Sequence, residues 1–428
     1  ALEHALAAGN KQKALDHFAD VIHYLWQSSQ YQTILRFGEM FTHEELIKNI
    51  GLSFNYFWIL FQSGQMEQAE RLITKLKKHT TRKAELAMAY VCINNLKVSL
   101  GDIESTYSYA ELELHDITGD ADYWKILAFL SLGEVHLLRF ELAESFEFFD
   151  QAAEIASNPE HIYFELINRT RSSFVLWLLG ESSRGYKAGK DLLEKFNATA
   201  ENGGFSIELL SSMVSCFVGN FLININEIEE GLQKSVRGYD LSRKTTNPLL
   251  IASCTYLLAE AYFLAGEYHK AIGLVEELDD IPYKQASKFL CVLSDSLKCK
   301  LYLLAHQKDK LKALFKKEIP KGKNHAFERM FYRIDKVRHL ISRGEITDSI
   351  TSLKEIIEEL EHQKAFGLLP EAELLMAKAY VMLQEQEKAI ACVIRTIHRT
   401  HPVGLIRSYI HEGKEIEELV KEIKTMKK

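Results

Sequence analysis

The chain has 428 residues with 52 basic against 59 acidic side chains, and its net charge of −7 excludes the basic footprint of a protein that grips DNA or an anionic membrane. At 47% hydrophobic residues, with only 6 prolines and 22 glycines, it can bury a large core in an all-α fold, and strand patterning is scarce. No apolar run approaches the ~18 residues of a membrane span, the 6 cysteines form no C-x-x-C pair, and ALEHALAAGNKQKAL lacks a secretory layout, so the cytoplasm is expected.

In chain order the predicted helices pair into hairpins that turn at Gly9, Gly64, Gly101, Phe140, Gly180, Asn226, Gly266, His306, Gly344 and Gln384. After a first step of 55, the separations stay between 37 and 46, which marks a repeat protein with a period near 40. Seven residues before the turn stand Gly133, Ser173, Gly219, Ala259 and Ala377; five after stand Ala14, Ala69, Gly185, Gly231, Ala271 and Ala389. Small residues there let two antiparallel helices approach closely. The prolines, Pro159, Pro248, Pro282, Pro320, Pro370 and Pro402, are expected between hairpins, where a missing N–H costs little.

The clearest copy is LAEAYFLAGEYHKAI (258–272), followed by LMAKAYVMLQEQEKAI (375–390); KCKLYLLAHQKDKLKAL (298–314) is much weaker. These segments resemble the tetratricopeptide consensus, although that repeat usually runs to about 34 residues. The resemblance implies an α-solenoid of about ten hairpins that forms a right-handed superhelix, with a concave groove and no catalytic cleft.

The ends narrow the family. Residues 4–46, HALAAGNKQKALDHFADVIHYLWQSSQYQTILRFGEMFTHEEL, look like the junction between ATPase module and repeats in MalT-like activators, which are LuxR-type regulators of the STAND class. FNYFWILFQSGQMEQAERLI (54–73) resembles that family's first full hairpin. GLIRSYIHEGKEIEELVKEI (404–423) resembles its closing phrase, through Arg407, Tyr409, Glu412 and Gly413. The expected division is an N-terminal helical linker and first hairpin over 1–50, a superhelix over 51–403 and a C-terminal capping helix over 404–428.

No G-x-x-x-x-G-K-[ST] occurs, so ATP belongs to a nucleotide-binding module expected upstream, and no cofactor is expected here. The chain starts at Ala1 and reads as an excised sensor segment. The resemblance implies a small-molecule inducer, such as a sugar or another metabolite, together with other modules or copies of the regulator as partners, and neither nucleic acid nor membrane. The rival is a tetratricopeptide scaffold or receptor that binds a peptide or protein through groove cations such as Lys300, Arg338 and Lys378.

No catalytic or metal set emerges. His398 and His401 lack a third ligand at suitable spacing. The lysines Lys308, Lys310, Lys312, Lys316, Lys317, Lys321 and Lys323, and EIIEEL at 355–360, fit solvated helix faces. Projecting the small-residue register onto the concave wall gives the ligand candidates Asn95, Glu134, Thr170, Phe174, Trp177, Asn220, Tyr256 and Glu260. Aromatic faces could cover an apolar side of a ligand while amides and carboxylates fix its hydroxyls. The plainer reading of each is a solvated or inter-repeat residue.

Overall fold

The computed structural model describes residues 1–27, 30–103, 122–158, 161–200, 205–284, 287–316, 325–405 and 407–426. Among them every regular element is a helix. The chain opens with α1 (Leu2–Ala7), α2 (Lys11–Gln27), α3 (Tyr31–Gly38) and α4 (His43–Leu46). Then come α5 (Ile50–Gln62) with α6 (Met66–His79), α7 (Lys83–Leu100), and α8 (Asp122–Leu138) with α9 (Leu142–Ile155). The middle hairpins are α10 (Ile162–Leu178) with α11 (Ser182–Ala200), α12 (Phe205–Asn224) with α13 (Ile228–Ser242), and α14 (Pro248–Ala265) with α15 (Tyr268–Asp280). The series ends with α16 (Lys288–Leu304) and α17 (Lys308–Leu314), α18 (Ala326–Ser342) and α19 (Ile346–His362), α20 (Leu369–Met382) and α21 (Gln386–Thr400), and α22 (Lys414–Met426). This is the expected all-α solenoid of tetratricopeptide-like hairpins.

One backbone device closes every hairpin. All ten predicted turn residues have positive φ, from 54° at His306 to 88° at Gly266. At each, the next N–H bonds back to a carbonyl in the last turn of the preceding helix, as from Glu267 to Tyr262 (2.8 Å) and from Glu385 to Tyr380 (2.9 Å). That six-to-one bond satisfies a carbonyl the helix end would otherwise leave orphaned. Glycine adopts the left-handed conformation freely. Phe140 adopts it at some strain, and its ring is buried in the core at 1% exposure.

The first helix of a hairpin is buried on most faces, whereas the second buries a single stripe. In α13 the stripe is Gly231, Ser235, Gly238, Leu241 and Ser242. A Cβ on Gly219 of α12 would lie 2.5 Å from the carbonyl oxygen of Gly231, so these two helices touch backbone to backbone. Elsewhere the small position admits a large neighbour: a Cβ on Gly133 would meet the Phe149 ring at 2.6 Å.

Successive turns of the superhelix also touch. The Gly367 N–H donates to the Leu178 carbonyl (2.8 Å), Phe140 and Phe327 lie 6.3 Å apart, and Asn247 reaches Tyr31. Hairpins distant in sequence therefore enclose a common interior.

Two expectations need revision, and part of a third lies beyond the described residues. Pro248 and Pro370 stand in the first turns of α14 and α20 rather than between helices, a position that needs no N–H donor. Pro159, Pro320, Lys317, Lys321 and Lys323 lie outside the described residues. Among the described residues one helix, α14, is long and apolar enough to cross a membrane, with mean hydropathy 1.5 over its 18 residues. Packing accounts for that character: Ala252, Cys254, Leu258, Ala259 and Ala261 are all buried in the protein interior.

Candidate functional site

A cavity of about 260 Å³ lies on the concave side, walled by α10, α12, α14 and α16 and completed by Glu371 of α20 and the returning residues His411 and Glu412. First helices supply most of its wall, and Ser182 joins it from the start of the second helix α11. Its apolar part combines leucines such as Leu290, Leu293 and Leu297 with aromatic rings. Phe174 meets Phe289 edge to face (4.7 Å) and lies 5.5 Å from Trp177, and the Arg171 guanidinium sits over Phe289 at 4.2 Å.

The polar part is a ladder in which Asn220, Glu260, Lys300, Arg338 and Lys378, from one register position, are linked largely through Tyr256, Glu371 and Glu412. Asn220 Nδ2 donates to Glu260 Oε2 (2.8 Å), 40 residues along, and Tyr256 Oη donates to Glu260 Oε1 (3.2 Å). Lys300 Nζ then pairs with Glu371 (2.9 Å), which also receives Arg338 (2.8 Å). Arg338 bridges onward to Glu412 (2.7 Å), whose backbone carbonyl accepts from Lys378 Nζ (3.0 Å). Repeat-equivalent side chains thus stack along the wall.

Electrostatics follow from this crowding. Burial alone would raise the Glu371 carboxyl, but the charges and hydrogen bonds of Lys300 and Arg338 hold it down to about 2. Burial pushes Asp335 up to about 8, only partly opposed by the Lys300 charge, and Ser296 Oγ donates to its Oδ1 (3.1 Å). Glu260 is also raised by burial against the pull of Lys300, Tyr256 and Asn220. Burial and the Arg407 charge lower His411 to about 4, leaving a neutral imidazole.

Three polar atoms on this wall have no hydrogen-bond partner: Asn220 Oδ1, Ser182 Oγ and His411 Nε2. Asn220 and Ser182 are 6% and 4% exposed, so neither atom is compensated by bulk water. The cavity therefore presents unused hydrogen-bonding capacity beside aromatic faces, while its charges are committed to one another.

Thr170, Phe174, Trp177, Asn220, Tyr256 and Glu260 all line this cavity, whereas Asn95 and Glu134 do not. Asn95 is buried and donates to the carbonyls of Val91 (2.9 Å) and Leu127 (3.4 Å). Glu134 pairs with Arg171 (2.7 Å), placing its partner in the wall instead of itself. The register projection missed Arg171, Glu371, His411 and Glu412. Glu371 had a signal, for it stands seven residues before Lys378 and so shares its helix face. His411 and Glu412 arrive only because the chain returns after its last hairpin. Among the described residues no group of three or more His, Cys, Asp or Glu side chains could hold a metal ion.

A family model described as MalT-like TPR region matches residues 87–426. No curated protein matches the chain in sequence. Among solved structures, a Rap protein complexed with Competence and Sporulation Factor aligns with TM-score 0.57 at 14% identity, covering 83% of this chain and 98% of its own. Aspartyl phosphate phosphatase F from Bacillus subtilis aligns with TM-score 0.45 at 12% identity, covering 84% and 95%. The apo form of RapI aligns with TM-score 0.43 at 15% identity, covering 83% and 99%.

Proposed function

The chain belongs to the family of MalT-like TPR regions, and from that premise we propose that it is the inducer-sensing superhelix of a bacterial ATP-dependent transcriptional activator. It binds a small uncharged, hydroxyl-bearing molecule in the cavity and thereby controls activation and self-association of the full regulator. For this role we divide the chain into a linker with the first hairpin (1–50), the superhelix (51–403) and a cap (404–428). The segment recognises rather than transforms its ligand and works in the cytoplasm, and ATP belongs to a separate module.

The observation that carries this reading is the juxtaposition of Asn220 Oδ1, buried without a partner, with the aromatic faces of Phe174 and Trp177 in one cavity. A ligand hydroxyl can donate to that oxygen while its apolar face lies on the rings. An anionic ligand would have to break a pair such as Lys300–Glu371 or Arg338–Glu412 to find a cation. The same commitment weighs against a peptide-carboxylate clamp, since Lys300 and Arg338 are ion-paired and Lys378 donates to the Glu412 backbone carbonyl. The Rap protein bound to Competence and Sporulation Factor supports ligand recognition by a superhelix of this kind.

Calorimetric titration tests the reading with a panel of uncharged sugars and polyols, organic acids and short peptides. A neutral hydroxylated compound is expected to bind, and Trp177→Ala is expected to weaken it at least ~tenfold, or ~1.4 kcal/mol. Binding by peptides alone, or affinity indifferent to Trp177, overturns it.

A further inference from the structure

Helix α14 touches three parts of the molecule that are far apart in sequence. At its start, Asn247 Oδ1 caps the helix by accepting from Leu249 N (3.0 Å) and Leu250 N (3.2 Å). The other half of the same amide leaves the repeat: Nδ2 donates to Tyr31 Oη (3.2 Å) and to Gln62 Oε1 (3.4 Å). Tyr31 Oη in turn donates to Gln62 Oε1 (2.7 Å) and accepts from Trp26 Nε1 (3.2 Å). Asn247, Tyr31 and Gln62 are 4%, 3% and 7% exposed, so this node is dry. Leu249, on the first turn, packs against the apolar core of the N-terminal helices.

Midway, α14 turns Tyr256 and Glu260 into the cavity. At its end, the Leu264 carbonyl, one of the orphans of the last turn, accepts from Arg407 Nε (2.9 Å). The neighbouring Phe263 ring lies 4.5 Å from His411, and Tyr268 Oη lies 3.2 Å from His411 Nδ1. Residue 412, which follows, is held by Arg338 from the wall.

We infer that α14 is a lever that links the cavity to both ends of the chain, through the Asn247–Tyr31–Gln62 node at one end and the Arg407–His411 strap at the other. The helix is a rod about 25 Å long at ~1.5 Å per residue, so its two ends move together. Asn247 cannot follow the helix and also keep Tyr31 and Gln62 unless those move with it, because one planar amide makes both sets of bonds. Leaving a buried amide half paired is strongly disfavoured. A molecule that shifts Tyr256 and Glu260 thereby biases residues near 31 and near 407 at once, which is the differential contact that coupling between sites requires. Signal entry rests on the proposed ligand reading of the cavity. The mechanical link is a property of the unliganded chain.

Hydrogen exchange read by mass spectrometry on the full unliganded chain tests the link. Asn247→Ser retains a capping oxygen but cannot reach Tyr31, and Arg407→Gln removes the strap at the other end. Each variant is expected to speed exchange at least ~threefold at both ends, around 31–38 and around 407–412, and the double variant less than the product of the two. Sites this far apart without shared contacts ordinarily act independently. Effects confined to each variant's own end, with a multiplicative double variant, overturn the lever. If Asn247→Ser does not fold, Tyr31→Phe takes its place with the same two outcomes. No ligand is used, so a failed titration of the cavity and a failed exchange experiment are separate results.

Discussion

Asn220 and Glu260 stand 40 residues apart at the same register position of adjacent repeats, and the amide of the first donates to the carboxylate of the second at 2.8 Å. Further along, Lys300 and Arg338 at the same register position meet through Glu371 instead of directly. A charge is not needed to join Asn220 to residue 260: a glutamine there could accept from Tyr256 through Oε1, and once the Asn220 amide flips, the glutamine nitrogen could donate to Asn220 Oδ1 in place of the present bond.

Glu260→Gln is therefore expected to leave stability at pH 7 within ~1 kcal/mol of the parent, whereas Glu260→Ala, which orphans both donors, costs about 1–3 kcal/mol. Thermal unfolding of the three proteins ranks them. If Gln proves as damaging as Ala, the charge itself holds the wall together and the carboxylate is structural.

A second expectation concerns pH. Asp335 has a folded-state value of about 8 against an ordinary 3.8, so between those values the folded protein keeps a proton that the unfolded chain releases. Stability then falls as pH rises through that window. Asp335→Asn keeps the acceptor for Ser296 Oγ and removes the ionisation. Denaturant midpoints should nearly coincide only at or below the unfolded value of 3.8, and they should separate as pH rises, the variant being more stable by more than ~1 kcal/mol at pH 8. Parallel pH profiles for the two proteins contradict this account of the buried carboxyl.

The same residues show what was legible in the sequence. The turn register could be read because a left-handed residue followed by a helix start recurs near every 40 positions. Phe140, His306 and Gln384, poor turn formers individually, were placed by period alone. Six of eight groove candidates fell in the cavity because that register also fixes which helix face is concave. Asn95 and Glu134 lie outside the cavity for a nonlocal reason: Leu127 and Arg171, on neighbouring helices, engage them. His411 and Glu412 depend on where the chain returns, which no local pattern encodes, whereas Glu371 shares a helix face with Lys378. The apolar length of α14 likewise answers to its burial between distant hairpins.

Contacts between superhelical turns can be weighed with two glycines. Gly266 and Gly64 both have left-handed backbones, with φ of 88° and 76°. A Cβ on Gly266 meets nothing within 4 Å, whereas one on Gly64 would lie 2.7 Å from the Pro282 carbonyl oxygen. Gly266→Ala should cost about 1 kcal/mol, the penalty of the backbone region alone. Gly64→Ala should cost about 1–3 kcal/mol more, because that contact is with backbone. Equal shifts in guanidinium midpoint would mean that the two turns do not press on each other there.

Arg338 joins two carboxylates, Glu371 at 2.8 Å and Glu412 at 2.7 Å, with side chains only 12%, 20% and 6% exposed in that order. Its planar fork lets one residue serve both. Arg338→Met leaves Glu412 buried without its cation and should cost about 3–5 kcal/mol. Arg338→Lys keeps the charge but lacks the fork, so it should recover part of that loss and hold one carboxylate at a time. Because Glu412 belongs to the returning segment, limited proteolysis around 404–413 should accelerate in the order wild type, Lys, Met. A lysine variant as resistant as wild type would show that charge alone, not the two-pronged geometry, fastens this segment to the wall.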